Sequence, residues 1–155
     1  MIVAIIGHRK IEKTKELESA IERVVIDLIE SGADTFLFGS RGEFDEFCYD
    51  IVTRLKERYD LKRVYVRAAF QYISEDYKNY LLTLYEETLF PSSVCSAGRV
   101  SYIKRNEAMI DACDVLLTFY DKNYLPNTKE KSNSGTAIAF KYAFSKNKRI
   151  LNIKT

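Results

Sequence analysis

The chain has 155 residues, 46% of them hydrophobic, which suits one compact domain with a substantial core and is too short for two ordinary ones. Its 24 basic residues against 22 acidic ones leave a net charge of only +2, so there is no global electrostatic case for nucleic acid or an anionic membrane, and any anion site must be local. Cys48, Cys95 and Cys113 are widely spaced, form no CxxC pair and accompany a single histidine, which argues against a structural zinc site and for thiols in a reducing cytoplasm.

Met1-Ile2-Val3-Ala4-Ile5-Ile6-Gly7 opens the chain with an apolar, β-branched run of strand length. It lacks the basic region and cleavage site of a secretory leader, and no segment approaches membrane-spanning length, so a cytoplasmic protein without a membrane partner is expected. A run that is apolar at every position, rather than at alternate ones, predicts a strand buried on both faces and central in its sheet.

Residues 13–31 place Leu17, Ile21, Val24, Val25, Leu28 and Ile29 at helical spacing, and Gly32 follows as a stop signal. Thr35-Phe36-Leu37-Phe38 is the second strand. It runs directly into Gly39-Ser40-Arg41-Gly42 and then into a helix whose apolar face is Phe44, Phe47, Cys48, Ile51, Val52 and Leu55. Residues 63–67 read as a third strand. The pattern then loosens into a tyrosine-rich stretch, with a helix over residues 74–86 and a short strand at Thr88-Leu89-Phe90 before Pro91.

Helical periodicity returns at residues 102–112, and Val115-Leu116-Leu117-Thr118-Phe119 is a strand. A polar loop over residues 121–133 has the length at which function or disorder is expected. Ser134-Gly135-Thr136 opens a last helix over residues 137–146, and residues 149–153 supply a final strand. Strands alternating with crossover-length helices predict an α/β, Rossmann-like three-layer sandwich, with a mainly parallel sheet and helices on both faces. Ligands of such a sheet gather beyond the carboxyl ends of its strands.

Four polar clusters fall at those ends or on a helix facing them: Gly7-His8-Arg9, Gly39 to Asp45, Arg105-Asn106 and Ser134-Gly135-Thr136. Gly39 and Gly42 are expected to give the backbone conformations closed to other residues, and Arg41 adds a positive charge at a helix start whose N–H groups attract anions. Asp45 is either a first-turn carboxylate that stabilises the helix dipole or, facing the cleft, an acceptor for ribose hydroxyls or a base in glycosidic hydrolysis. Phe44 reads as core. His8 and Arg9 either contact ligand or serve locally, and no nucleophile beside His8 completes a triad. Ser134-Gly135-Thr136 is either only a helix N-cap, for which Asn133 and Ser134 both qualify, or a phosphate site that uses the same N–H groups. Glu43, Glu46 and Glu107 are either candidate catalytic carboxylates or, more commonly for such positions, solvated helix charges.

The order of these clusters resembles the YpsA-like branch of the SLOG superfamily, which is related to LOG and DprA Rossmann-like domains. The resemblance runs from Gly7-His8-Arg9 through Gly42-Glu43-Phe44-Asp45 to Arg105-Asn106-Glu107-Ala108-Met109-Ile110-Asp111 and Ser134-Gly135-Thr136-Ala137. It implies a pocket for a nucleotide or nucleotide-derived ligand at the carboxyl end of the sheet, with Gly7, His8, Arg9, Gly39, Ser40, Arg41, Gly42, Asp45, Arg105, Asn106, Ser134, Gly135 and Thr136 as the binding set. LOG-type enzymes carry an acidic pair shortly after the Gly-Thr turn, whereas Gly135-Thr136 is followed here by Ala137-Ile138-Ala139. That departure favours a sensor or binding module over a LOG-like phosphoribohydrolase.

The alternative is an N-glycosidic hydrolase or ribosyltransferase acting on a nucleoside phosphate, with Asp45 as its catalytic candidate. A DprA-like nucleic-acid module is disfavoured by the near-neutral charge. No cofactor and no metal is expected. A homodimer is expected, with the tyrosine-rich residues 72–85 as a candidate interface.

Overall fold

The computed structural model describes residues 1–39, 42–68, 74–91, 98–123 and 134–154. β1 (Ile2–Gly7) takes the central place its continuous apolar run requires. It pairs with β2 (Thr35–Phe38) on one side and β5 (Val115–Phe119) on the other, and Val3, Ala4 and Ile5 are wholly buried. β3 (Lys62–Val66), β4 (Glu87–Leu89) and β6 (Arg149–Asn152) complete a six-stranded sheet of order β4-β3-β2-β1-β5-β6. Every pairing is parallel, so the expected mainly parallel sheet is wholly parallel among the described residues.

Side chains that alternate across the strands build two cores. On one face, Val3, Ile5, Phe36, Phe38, Val115 and Leu117 meet α1 (Lys15–Glu30) and α2 (Glu43–Leu55), which contribute Ile21, Val25 and Leu28, and Phe44, Cys48, Ile51 and Val52. On the other, Ala4, Ile6, Leu37, Val64, Val66 and Leu116 meet α4 (Arg99–Ala112) and α5 (Gly135–Ser145) through Met109, Ile110, Ala139 and Ala143. α3 (Glu75–Leu84) is tied to α2 by the Tyr49 hydroxyl, which donates to the Leu84 carbonyl at 2.5 Å.

Local chemistry sets the helix ends. Thr14 caps α1 by accepting from the Leu17 N–H at 3.1 Å, and Gly32 leaves that helix with φ +111°, a conformation that favours glycine. α4 begins at Arg99, three residues before the start that periodicity gives, because Gly98 turns the chain at φ +73° into the helix. The short run placed at residues 88–90 is the edge strand β4, shifted by one residue.

From β1 the chain proceeds outward through β2 and β3 to β4, then returns to lay β5 and β6 on the opposite side of β1. The direction of winding therefore reverses between β1 and β5, where such sheets open a crevice beyond the strand ends. Among the described residues, no helix is long and apolar enough to cross a membrane.

Gly7, the last residue of β1, lies against Phe44: a Cβ added to it would stand 2.8 Å from the Phe44 Cβ. Gly7→Ala is therefore expected to destabilise the fold by about 1–3 kcal/mol, the usual range for overpacking. Urea denaturation reads this as a lowered midpoint, and an unchanged midpoint contradicts the contact.

Candidate functional site

The best-defined part of the crevice is built around Arg105. This α4 residue is only 5% exposed, and its Nη1 donates to the carbonyl of Gly39, just past the end of β2. Its Nε donates to Asn106 Oδ1 at 3.0 Å, and the guanidinium stands 5.4 Å from the centre of the Tyr102 ring. Burial lowers the Arg105 pKa, and the charge of Asp45 is the largest influence in the opposite direction.

Gly39 is required for a different reason than its sequence context suggests. Among the described residues, the glycines with positive φ are Gly32 and Gly98, and Gly42 has φ −77°. Gly39 instead makes room: an added Cβ would lie 2.5 Å from Arg105 Cδ and 2.9 Å from Met109 Sδ. Ser40 and Arg41 lie outside the described residues, as do Cys95, Tyr72 and residues 124–133 of the polar loop.

The loop after β1 closes onto the start of α2. The Glu43 N–H donates to the Arg9 carbonyl at 2.8 Å, and Glu43 Oε2 accepts from the Ile11 N–H at 2.8 Å. Arg9 is exposed, and its charge bears on Arg105. Glu43 is thus a loop tie rather than only a solvated helix charge. Phe44 is fully buried core, as its register implies.

The two helix starts differ in their electrostatics. α2 carries Glu43, Asp45 and Glu46 in its first turn, and one of its leading N–H groups is already bonded to Arg9. α5 has no acidic residue in its first turn, and Ser134 caps it by accepting from the Ala137 N–H at 3.1 Å. Three carboxylates repel an incoming phosphate, so α5 is the better anion acceptor. Gly135 is exposed there, a Cβ added to it would meet no atom of the described residues within 4 Å, and Thr136 is buried.

His8 is 1% exposed and is positioned by its own backbone, whose N–H donates to the Phe119 carbonyl at 3.3 Å. Its Nε2 accepts from the Asp121 N–H at 2.9 Å, which places the proton of the neutral ring on Nδ1. Burial lowers its pKa from the ordinary value of 6.5, against the pull of the Asp121 charge. The ring therefore anchors the first residue of the polar loop.

Asp45, 2% exposed, also lines a cleft of about 470 Å³ between α2 and α3. Phe38, Tyr49, Tyr65 and Tyr85 form its aromatic wall, with ring centroids 5.1 Å apart for Tyr49 and Tyr85 and 5.2 Å for Tyr65 and Tyr85. This wall is absent from the sequence-derived set, although Asp45 and Tyr49 stand four residues apart on one helix and so share a face. Two further polar groups were also missed. Thr118 Oγ1, buried near the end of β5, and Arg67 Nε, just past β3, have no hydrogen-bond partner among the described residues.

Among the described residues no cluster of His, Cys, Asp and Glu has the makings of a metal site. A parallel doubly wound sheet with polar groups and a helix start at its carboxyl end defines the class: an α/β protein of the ligand-crevice type. The chain matches the YpsA family model, described as the YspA SLOG family, over residues 5–155, and it belongs to that family. Membership points to nucleotide-related binding or modification. A comparison with curated proteins finds no match.

The His8 anchor predicts acid sensitivity. Because its pKa is lowered on folding, the stability that neutral His8 contributes is complete above its unfolded value near 6.5. That contribution falls as the pH drops below 6.5 toward the lowered folded-state value. Denaturation at a series of pH values should show the loss, and His8→Gln should flatten it. An equal slope in both proteins contradicts the anchor.

Proposed function

We propose that the protein binds a nucleotide or nucleotide-derived ligand at the carboxyl end of the sheet and acts as a sensor or binding module. One observation carries this reading: the positively polarised start of α5, free of first-turn acids, shares that end of the sheet with buried Arg105 and the aromatic cleft. A phosphate at Ser134, Gly135 and Thr136 leaves the ribose and base to extend toward Gly39 and Asp45. Family membership supports the same class of ligand.

Binding without turnover is the form that the site chemistry favours. Ala137 and Ala139, which follow the Gly135-Thr136 turn, are buried at 7% and 3% exposure, so this stretch offers no carboxylate to assist glycosidic cleavage. Asp45 and Glu46 are the carboxylates among the candidates that line the cleft, and the charge of Asp45 acts on buried Arg105.

A thermal-shift panel of nucleoside monophosphates, nucleoside diphosphates and ADP-ribose tests the proposal. At about 100-fold excess over the dissociation constant, a true ligand contributes about 2.7 kcal/mol and raises the melting temperature by several degrees. The ligand should be recovered intact by chromatography. No shift with any phosphorylated nucleoside overturns the proposal, and release of free base that is lost in Asp45→Asn replaces binding with hydrolysis.

A further inference from the structure

Tyr102 is out of keeping with the stripe of α4 to which it belongs. Tyr102, Asn106, Met109 and, just past the helix end, Cys113 follow one another at helical spacing along a single face. Met109 and Cys113 are 1% and 2% exposed in the core beneath α4, whereas Tyr102 is 49% exposed. α4 follows β4 in a parallel sheet, so it starts at the carboxyl end and runs back over the strands. Its core-facing stripe therefore passes beyond the strand ends in its first turn, and there the Tyr102 ring faces the crevice instead of the core.

This ring stands beside the start of α5. The two helices pack on the same face of the sheet and are joined where the Tyr142 hydroxyl donates to Asp111 Oδ1 at 2.8 Å. Both run back from the carboxyl end, so the 31-residue offset of that pair sets Ile103, next to Tyr102, level with Ser134 on a neighbouring helix about 8–10 Å away. Beneath them Thr118 alternates with the core residue Leu116 and so points to this face. It is 1% exposed, and its Oγ1 has no hydrogen-bond partner among the described residues, a state that rewards a polar group brought by a ligand. Arg105, held by the Gly39 carbonyl and Asn106, keeps its guanidinium 5.4 Å from the centre of the Tyr102 ring. A half-exposed tyrosine is ordinary surface by itself; the core-facing stripe and the buried cation over the ring set this one apart.

We propose that Tyr102 is the stacking platform for the base of the bound nucleotide, on the same face of the sheet as the phosphate site at α5. The inference rests on the nucleotide reading above and assigns the base a partner within that site. A π-face accepts any flat base and reads no hydrogen-bonding edge. The platform therefore favours a nucleotide over a bare sugar phosphate rather than one base over another.

Calorimetric titration of the full chain with AMP and with ribose 5-phosphate tests the assignment. The native protein is expected to bind AMP about tenfold more tightly, the scale of one base stacked on an aromatic ring. Tyr102→Phe should keep that gap, and Tyr102→Ala should close it by weakening AMP alone. Tyr102→Leu repeats the test with the apolar bulk retained, and circular dichroism confirms that each variant is folded. Equal affinities for AMP and ribose 5-phosphate in the native protein overturn the platform and leave the phosphate site in place. An AMP affinity that survives Tyr102→Ala and Tyr102→Leu overturns the platform as well. A parallel loss of both ligands in those variants makes Tyr102 a support for Arg105 and also overturns it. Failure of both ligands to bind the native protein overturns the platform together with the nucleotide reading.

Discussion

The hydrogen bond from Arg105 to the Gly39 carbonyl is the contact on which the carboxyl end of this sheet depends. It joins residues 66 apart in sequence and ties α4, on one face, to the point where β2 gives way to the turn before α2. A guanidinium that is 5% exposed is costly to bury unless its donors and charge are met. Gly39, Asn106 and Asp45 share that duty, the first two by hydrogen bonds and the third by its charge. The requirement explains the glycine at position 39, where any side chain would collide with Arg105 and Met109, and gives Asp45 a structural reason to be a buried acid.

With Arg105 fixed, the crevice divides by charge. The α2 end is acidic and aromatic, closed by the Arg9 to Glu43 tie and lined by tyrosine rings. The α5 end is capped by a hydroxyl and carries no first-turn acid. His8 stands between the two, with its neutral ring holding Asp121 where the chain leaves the sheet.

The fold was legible because its signals are local. The unbroken apolar run of β1 marked a doubly covered central strand, and Thr35–Phe38 and Val115–Phe119 stand where their composition puts them. Boundaries moved where a turn overrides periodicity, as Gly98 does in starting α4 at Arg99. The site was only partly legible. Its polar clusters sit at glycine turns or helix starts that sequence can mark, but the role of Gly39 comes from Arg105, and no local pattern reveals a collision with a side chain 66 residues away. The aromatic wall was not legible because Tyr49, Tyr65 and Tyr85 come from three segments that only the folded sheet brings together. Likewise, the three first-turn acids of α2 contrast with the uncharged first turn of α5, a difference that matters only once the fold sets both helix starts at one end of the sheet.

A titration of AMP into isotopically labelled protein, followed through backbone amide shifts, locates the ligand at one end of the sheet or the other. The perturbed amides are expected to cluster at Gly7, His8, Gly39, Asp45, Arg105, Gly135 and Thr136, all at the carboxyl end or on the helices that face it. Perturbations centred at the opposite end of the sheet, around Thr35, Lys62 and Arg149 where β2, β3 and β6 begin, would contradict this placement.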